Sequence, residues 1–373
     1  MNAGPTRRQW LQALAVLAAP PGWPLLAAHA APDPAALLAN AQVAAAAEAA
    51  DLHSLLVWRR GSLLQAIYRT SRDRPIGSWF ARDIAFGPDV LHDMRSISKS
   101  VVALLVGQAV GRGQIDVATP VLDFYPELAR LRDSRDGGGV GAHASITVAH
   151  LLDMASGLAW NEGVTTYGTA ANDETRLFDD PEPARYILDR PLAAAPGSLW
   201  NYNGGCTVLL ADLLQRRSGR TLLDLAGKDL FAPLGITRWA WTTGSHGQPL
   251  AYAGLRLTSP GLLTLGRLML AGGLWEGRQV VPAAWVAATL QPRITVYIST
   301  GPGGLQYSRQ WWSGTAQVGG KTLTWTAGIG NGGQRLFVLP ELEAVVVMTA
   351  GQYNSNAIGG TELRLFRQIV AQL

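Results

Sequence analysis

Hydrophobic and polar positions divide the chain into two ends with short β-type runs and a middle with helical periodicity. Near the N-terminus, apolar runs over residues 54–58 and 62–68 flank Arg60-Gly61, which predicts a β-hairpin. Near the C-terminus, β-rich runs over 322–326, 335–339 and 344–349 precede a helical pattern over 361–373. Helical periodicity in the middle of the chain predicts five helices, over 97–111, 147–155, 183–189, 205–217 and 260–271.

This order of elements predicts an α+β fold. Strands from the two ends would form one antiparallel sheet flanked by helices, and a mostly helical second domain would be inserted between them. We assign residues 31–95 and 246–373 to the α/β domain and 96–245 to the helical domain. The Ala-rich segment 31–50 predicts a further helix, and the Gly-rich segment 133–141 predicts a flexible surface loop.

The first 30 residues have the pattern of an export signal. Arg7 and Arg8 resemble a twin-arginine motif, an apolar stretch over 13–28 follows, and Ala28-His29-Ala30 is typical of a cleavage site. The alternative is a membrane anchor, which the short stretch and Pro20-Pro21-Gly22 disfavour. We therefore expect a periplasmic or secreted protein, exported through the twin-arginine route, without a stable membrane anchor after cleavage.

Composition excludes several classes of protein. With 48% hydrophobic and 16% charged residues, the 373-residue chain is not expected to be disordered. The net charge of +4 falls to +2 without residues 1–30 and shows no cluster, so we expect no nucleic-acid partner. Cys206 has no second cysteine with which to form a disulfide.

Motifs for metals and nucleotides are absent from the sequence. The six histidines show no H-E-x-x-H spacing, and no Cys/His cluster or G-x-x-x-x-G-K-[ST] motif occurs. The Gly-rich run over 328–333 precedes a strand-like segment, whereas a dinucleotide fingerprint precedes a helix. We therefore expect neither a metal nor another cofactor.

Ser96 and Lys99 are the first candidates for chemistry. They are three residues apart at the start of an apolar helix, so their side chains can meet on one face. The positive field of the helix N-terminus would disfavour the ammonium form of Lys99 and favour an oxyanion nearby. An activated serine nucleophile needs both effects. In the alternative interpretation Ser96 is a helix cap and Lys99 is solvated.

Two later segments could complete such a site. Tyr202 lies in a polar loop before a predicted helix, where a phenol could relay protons; the alternative is a tyrosine packed at a domain boundary. The glycines of residues 325–334 would let a strand approach a bound acyl group, and one backbone N–H could donate to an oxyanion; the alternative is a β-bulge or turn.

These three elements, in this order, resemble the serine β-lactamase and penicillin-binding-protein superfamily, in particular its class C-like branch with esterases and 6-aminohexanoate-oligomer hydrolases. The similarity extends over most of the chain after residue 30. Its most typical stretches are residues 113–121, 146–158, 254–258, 272–286 and 307–312.

The resemblance implies roles for individual residues. Ser96 matches the acyl-accepting nucleophile, Lys99 the base that activates it, and Tyr202 the tyrosine that relays protons. The backbone N–H groups of Ser96 and Asn331 match the oxyanion hole. Trp160, Glu162 and Gly330 are weaker candidates for lining the substrate cleft.

Two departures from the family pattern bear on the substrate. The second motif of the family often reads Tyr-x-Asn, but Gly204 occupies its third position, and Asn203 would point elsewhere. The third motif often begins with Lys or His, but the matching residues here begin with Gly328. Loss of that cation should weaken selection for anionic substrates, which disfavours an efficient β-lactamase.

The sequence therefore predicts a serine hydrolase that cleaves an ester or amide bond in a small or oligomeric substrate. Two alternatives stay open. One is a D-amino-acid peptidase, transpeptidase or β-lactamase acting on cell-wall-type substrates. The other is a catalytically inactive homologue that binds a ligand.

Overall fold

A computed structural model describes residues 41–133, 135–136, 139–163, 165–296 and 304–373. The predicted export signal over residues 1–30 lies outside these ranges. Within them, no helix is both long and apolar enough to cross a membrane.

The described residues form ten α-helices and seventeen strands, numbered here in chain order. The helices are α1 (Ala41–Ala49), α2 (Ile97–Gly111), α3 (Val148–Leu152), α4 (Asp173–Arg176), α5 (Pro183–Leu188), α6 (Gly204–Ser218), α7 (Leu222–Leu225), α8 (Ser259–Leu270), α9 (Ala283–Leu290) and α10 (Asn356–Val370). The strands before the helical middle are β1 (Leu52–Arg59), β2 (Ser62–Tyr68), β3 (Thr70–Asp73), β4 (Arg82–Ala85) and β5 (His92–Asp93). The strands from there to residue 279 are β6 (Arg135–Asp136), β7 (Gly139–Val140), β8 (Trp239–Trp241), β9 (Leu255–Leu257), β10 (Leu274–Trp275) and β11 (Arg278–Gln279). The last strands are β12 (Ile294–Val296), β13 (Leu305–Ser308), β14 (Trp311–Val318), β15 (Lys321–Gly330), β16 (Gln334–Leu339) and β17 (Ala344–Ala350).

Both ends of the chain contribute to one antiparallel sheet, as predicted. Its eight strands follow the order β12-β13-β14-β15-β16-β17-β1-β2. The β1–β2 hairpin turns at Arg60 and Gly61, which both have positive φ, the conformation that suits a two-residue hairpin loop. Pairing of β1 with β17 then joins the two ends, with Val57 opposite Val346.

Helices cover both faces of the sheet. Helix α8 packs on β1, β16 and β17, while α1 and α10 pack together on the opposite face. On that second face, the rings of Phe337 on β16 and Phe366 on α10 stack with centroids 4.0 Å apart. The resulting α+β architecture, one antiparallel sheet built from both ends of the chain with helices on its faces, confirms the predicted fold class.

Two features differ from the sequence predictions. Strands β12, β13 and β14, which extend the sheet beyond β15, were not predicted. The segment predicted as a loop over 133–141 contains the two-residue strands β6 and β7, which pair with each other. The helix predicted over 31–50 lies partly outside the described residues, and its described part is α1. The domain boundaries predicted at residues 95/96 and 245/246 stay a prediction.

Helix α2 positions the candidate nucleophile. Its residues from Ile97 to Ala109 are buried, so the helix is enclosed on all sides, and it spans the predicted residues 97–111. Helix α6, which begins directly after Asn203, packs against it. This contact between two helices brings Ser96, before α2, close to Tyr202, before α6.

Candidate active site

Ser96 lies at the N-terminal end of α2, and its hydroxyl contacts Lys99. Its side chain makes no capping hydrogen bond to the helix backbone, which removes the alternative that it serves as a helix cap. It instead accepts a hydrogen bond from Lys99 Nζ at 3.1 Å. The preceding residue, Arg95, has φ of 49°, a strained conformation for a residue other than glycine. Such strain is typical of functional sites.

Lys99 is buried, with a relative exposure of 1%. Besides Ser96 Oγ, its Nζ donates to the carbonyl oxygen of Tyr252 at 3.0 Å and to Glu174 Oε2 at 3.3 Å. Glu162 Oε1 lies 3.8 Å away. The alternative of a solvated lysine is therefore wrong.

The charge state of Lys99 differs from the expectation. Burial acts to lower the pKa of Lys99, but Tyr202, Glu174 and Glu162 outweigh burial and raise that pKa. The field of the helix N-terminus by itself disfavours the ammonium form. The carboxyl groups of Glu174 and Glu162, at 3.3 and 3.8 Å from Nζ, outweigh that field together, so the resting lysine carries its proton.

Glu162 and Glu174 are both buried beside Lys99. Glu162 Oε2 accepts hydrogen bonds from the indole of Trp160 at 2.8 Å and from the Gly204 backbone N–H at 2.6 Å. Glu162 Oε1 accepts one from the Tyr167 hydroxyl at 3.3 Å. Burial and the charge of Glu162 raise the pKa of Glu174, while Lys99 opposes that rise.

Of these two glutamates, only Glu162 was a candidate from the sequence. Trp160 and Glu162 were expected to line the substrate cleft, whereas the structure buries both side chains, with Glu162 beside Lys99 and Trp160 donating to Glu162. Their contact with a substrate stays a prediction. The sequence gives little indication of a role for Glu174, because acidic residues such as Asp173 and Glu174 are common in the first turn of a helix, here after the cap Asn172.

Tyr202 adjoins the same lysine. The centre of its ring lies 5.0 Å from Lys99 Nζ. Burial raises the pKa of the Tyr202 phenol, and the positive charge of Lys99 and a hydrogen bond with Ser96 counteract that rise in part. The structure thus brings Ser96, Lys99 and Tyr202 together as predicted from their motifs.

The residues after Tyr202 explain one departure from the family pattern. Asn203 Oδ1 accepts a hydrogen bond from Cys206 N and caps α6, so this side chain serves the helix. At Gly204, a Cβ atom would lie 3.0 Å from Glu174 Oε2 and 3.1 Å from Glu162 Oε2. The two carboxylates therefore occupy the space into which a longer side chain at position 204 would extend.

Strand β15 contacts helix α2, which carries Ser96 at its N-terminal end, and part of the β15 edge is unpaired. It pairs with β14 only as far as Ala327, which leaves backbone groups beyond that residue open on the β14 side. A Cβ on Gly328 would contact Ile97, and one on Gly330 would lie 2.4 Å from the Met94 carbonyl oxygen. The side chain of Asn331 is exposed and donates to Asn354 at 2.7 Å. The oxyanion role of Asn331 N, like a substrate contact at Gly330, stays a prediction.

We expect Gly330→Ala to lower kcat for an ester substrate by about 10²-fold, the effect typical of a displaced oxyanion donor. The added Cβ would meet a backbone oxygen, which cannot turn aside, so β15 must shift away from Ser96. Steady-state kinetics would measure the loss. Gly87→Ala, where a Cβ meets open space and φ is not positive, controls for glycine replacement. Unchanged kcat in Gly330→Ala would contradict the assigned position of the strand.

Aromatic side chains flank Tyr202. Its ring centre lies 6.1 Å from that of Trp200 and 5.7 Å from that of Trp312, and Trp312 also contacts Tyr307 at 5.1 Å. Trp200 and Trp312 are half-buried. Among the residues that the structure describes, no group of three or more His, Cys, Asp or Glu side chains could hold a metal ion.

Comparison with known proteins gives a consistent result. The family model for β-lactamases matches residues 26–368. The chain is 30% identical to 6-aminohexanoate-dimer hydrolase of Paenarthrobacter ureafaciens over 276 residues, which is 70% of this chain and 66% of that protein. It is 31% identical to esterase EstB of Burkholderia gladioli over 188 residues, 48% of this chain and 44% of that protein. The alignments thus span less than two thirds of either relative's length.

A solved structure with the same fold is a penicillin-binding protein homologue from Caulobacter crescentus. It superposes with a TM-score of 0.66, covering 92% of this chain and 99% of that one, at 18% sequence identity.

Proposed function

The chain belongs to the β-lactamase family, and from this premise we propose that it is a serine hydrolase that cleaves an ester or amide bond through an acyl-enzyme on Ser96. The observation that carries the proposal is the hydrogen bond of 3.1 Å between Lys99 Nζ and Ser96 Oγ, next to Tyr202 and an open strand edge. A half-buried serine hydroxyl in contact with a buried lysine is the arrangement of an activated nucleophile.

In the proposed reaction, Ser96 Oγ attacks the substrate carbonyl carbon. The backbone N–H groups of Ser96 and Asn331 stabilise the oxyanion. Lys99 and Tyr202 carry the serine proton towards the leaving alcohol or amine. Water then attacks the acyl-enzyme, and the carboxylic acid leaves with Ser96 restored.

Several observations favour an ester or amide substrate that is not selected through a carboxylate. The motif that begins with Lys or His in much of the superfamily begins here with Gly328, so it supplies no cation for a substrate carboxylate. Trp200 and Trp312 present half-buried apolar surface near Tyr202. The relatives named above are a hydrolase of 6-aminohexanoate dimers and an esterase.

Covalent labelling tests the proposal. We expect a fluorophosphonate probe to add once to the protein, with peptide mass spectrometry placing the adduct on Ser96 and not on Ser98 or Ser100. Ser98 and Ser100 are buried and hydrogen-bonded to backbone oxygens, so they serve as internal controls. A penicillin incubated in parallel should leave little adduct, because the cation that would bind its carboxylate is missing.

The outcomes separate the three functions. An adduct on Ser96 together with turnover of p-nitrophenyl esters supports the ester or amide hydrolase. A long-lived penicillin adduct with cleavage of peptides ending in D-Ala would indicate the peptidase instead. Ligand binding with neither adduct nor turnover would indicate the inactive homologue.

A further inference from the structure

All three N–H groups of the Lys99 ammonium have acceptors. These are Ser96 Oγ, the carbonyl oxygen of Tyr252 and Glu174 Oε2, at distances of 3.0 to 3.3 Å. An ammonium group has three donors and no lone pair. In this state Lys99 donates to Ser96 and cannot take its proton. The proton of Ser96 therefore needs a further destination when the serine attacks.

Glu162 and Glu174 provide basic oxygens on the far side of Lys99. Glu162 and Lys99 are each 1% exposed, and Glu174 is 9% exposed, so water screens these charges little. Two ionised carboxylates with one ammonium would leave an uncompensated buried negative charge, which is costly. One proton shared by the two carboxyl groups makes the cluster neutral.

The hydrogen bonds indicate where that shared proton resides. Glu162 accepts from Trp160, Gly204 and Tyr167, so both of its oxygens act as acceptors. Glu174 forms a side-chain hydrogen bond with Glu162, and burial together with Glu162 raises the pKa of Glu174. Glu174 is therefore the protonated member of the pair at neutral pH.

We propose that Glu162 and Glu174 share one proton in the resting enzyme and take up the Ser96 proton through Lys99 during acylation. This inference rests on the proposed function. Neither glutamate touches the reacting atoms, so both are positioning residues for Lys99.

The step conserves atoms and charge. As Ser96 Oγ bonds to the carbonyl carbon, its O–H bond breaks and the proton passes to Lys99 Nζ. At the same time Lys99 passes one of its own protons to Glu174 Oε2 along the 3.3 Å hydrogen bond, and Glu174 passes the proton that it already holds to Glu162 through the hydrogen bond between the two carboxyl groups. The electron pair of the serine O–H bond becomes the new C–O bond. The pair then holds two protons and Lys99 is again an ammonium. When the bond to the leaving group breaks, the reverse transfers carry one proton from the pair through Lys99 to the leaving alcohol or amine.

Gly204 links this cluster to the altered second motif. A side chain in the Asn position of the Tyr-x-Asn motif would meet both carboxylates, at 3.0 and 3.1 Å from its Cβ. The Gly204 N–H also donates to Glu162. The glycine and the two glutamates therefore form one unit, in which carboxylates replace the amide of the usual motif.

Glu174→Gln tests the inference. The amide keeps the size of the side chain and a hydrogen bond from Lys99 but has no acid–base chemistry. We expect the burst of p-nitrophenol from an ester, which reports acylation of Ser96, to slow by about 10²-fold, as for loss of a general acid–base group. KM should stay within about threefold, because no substrate contact is lost. Glu174→Asp retains a carboxyl and should recover part of the rate.

Asp173→Asn is the matched control. Asp173 is the neighbouring acid on α4, is also buried, and pairs with Arg190 at 3.0 Å and Tyr186 at 2.7 Å. We expect this variant to lower the Tm and to keep the burst rate within about threefold, since such an ion pair contributes to stability only.

The results distinguish this inference from the proposed function. A wild-type burst rate in Glu174→Gln, while wild-type Ser96 is still labelled, would overturn the inference alone. Equal slowing of the burst in Glu174→Gln and Glu174→Asp would also overturn the inference, because the burst rate would then not depend on the carboxyl group. If Glu174→Gln does not fold, the burst rate of Glu174→Asp is the test. A slower burst than in wild type with unchanged KM supports the inference, and a burst at the wild-type rate overturns it.

Discussion

Ser96→Ala should lower kcat/KM for a p-nitrophenyl ester by about 10⁴-fold or more, the size of effect found when a covalent nucleophile is removed. The substitution deletes the atom that forms the acyl-enzyme and leaves the rest of the site in place. The protein should stay folded, because the Ser96 side chain caps no helix and its hydroxyl bonds within the site. Steady-state kinetics with a thermal melt of each variant would measure both effects.

Ser100→Ala provides the comparison for this loss. Ser100 lies one turn further along α2, is buried, and donates to the carbonyl oxygen of Gln310 at 2.8 Å. It should keep kcat/KM within about threefold, as substitutions outside the reacting groups commonly do. Full turnover by Ser96→Ala would exclude the acyl-enzyme on this residue and leave the inactive homologue or another nucleophile to be considered.

Lys99→Met should have the largest effect on stability. Methionine fills a similar volume, but the substitution removes the positive charge that opposes the raised pKa of Glu174. Breaking a buried ion pair by removing one partner typically costs about 3–5 kcal/mol in the free energy of unfolding. The activity should also disappear, because Ser96 loses the group that accepts its proton.

The loss of stability should depend on pH in a defined direction. A carboxyl whose pKa is higher in the folded than in the unfolded protein lowers stability as the pH rises above the unfolded value. Glu174 has such a raised pKa already, and without Lys99 that pKa rises further. The difference between Lys99→Met and wild type should therefore be smallest in mildly acidic solution and should grow towards neutral and alkaline pH.

Urea unfolding of both proteins at several pH values would test this expectation. The double variant Lys99→Met/Glu174→Gln controls for the charge, since it removes one carboxyl together with the lysine. It should regain part of the lost stability at neutral pH while staying inactive. If the penalty of Lys99→Met were the same at every pH, the interaction of Lys99 with the carboxylates would contribute little to folding.

Local spacing was enough to predict much of the fold. Helix α2 spans the residues predicted for it, and the β1–β2 hairpin turns at Arg60-Gly61 as expected. These predictions succeed because periodicity and turn conformation depend on residues close in sequence. Strands β13 and β14 escaped prediction because Arg309 and Gln310, both at positive φ, form a turn without a glycine.

The sequence by itself determined that Ser96 and Lys99 share a helix face, because residues three apart on a helix are always neighbours. It also indicated Tyr202, through a motif that resembles a known family. Only the tertiary structure decided the charge on Lys99. Its partners Glu174 and Tyr252 lie 75 and 153 positions away along the chain. Contacts between such distant segments depend on how the sheet and helices pack, which no local spacing encodes, and burial then makes each charge in the cluster depend on the others.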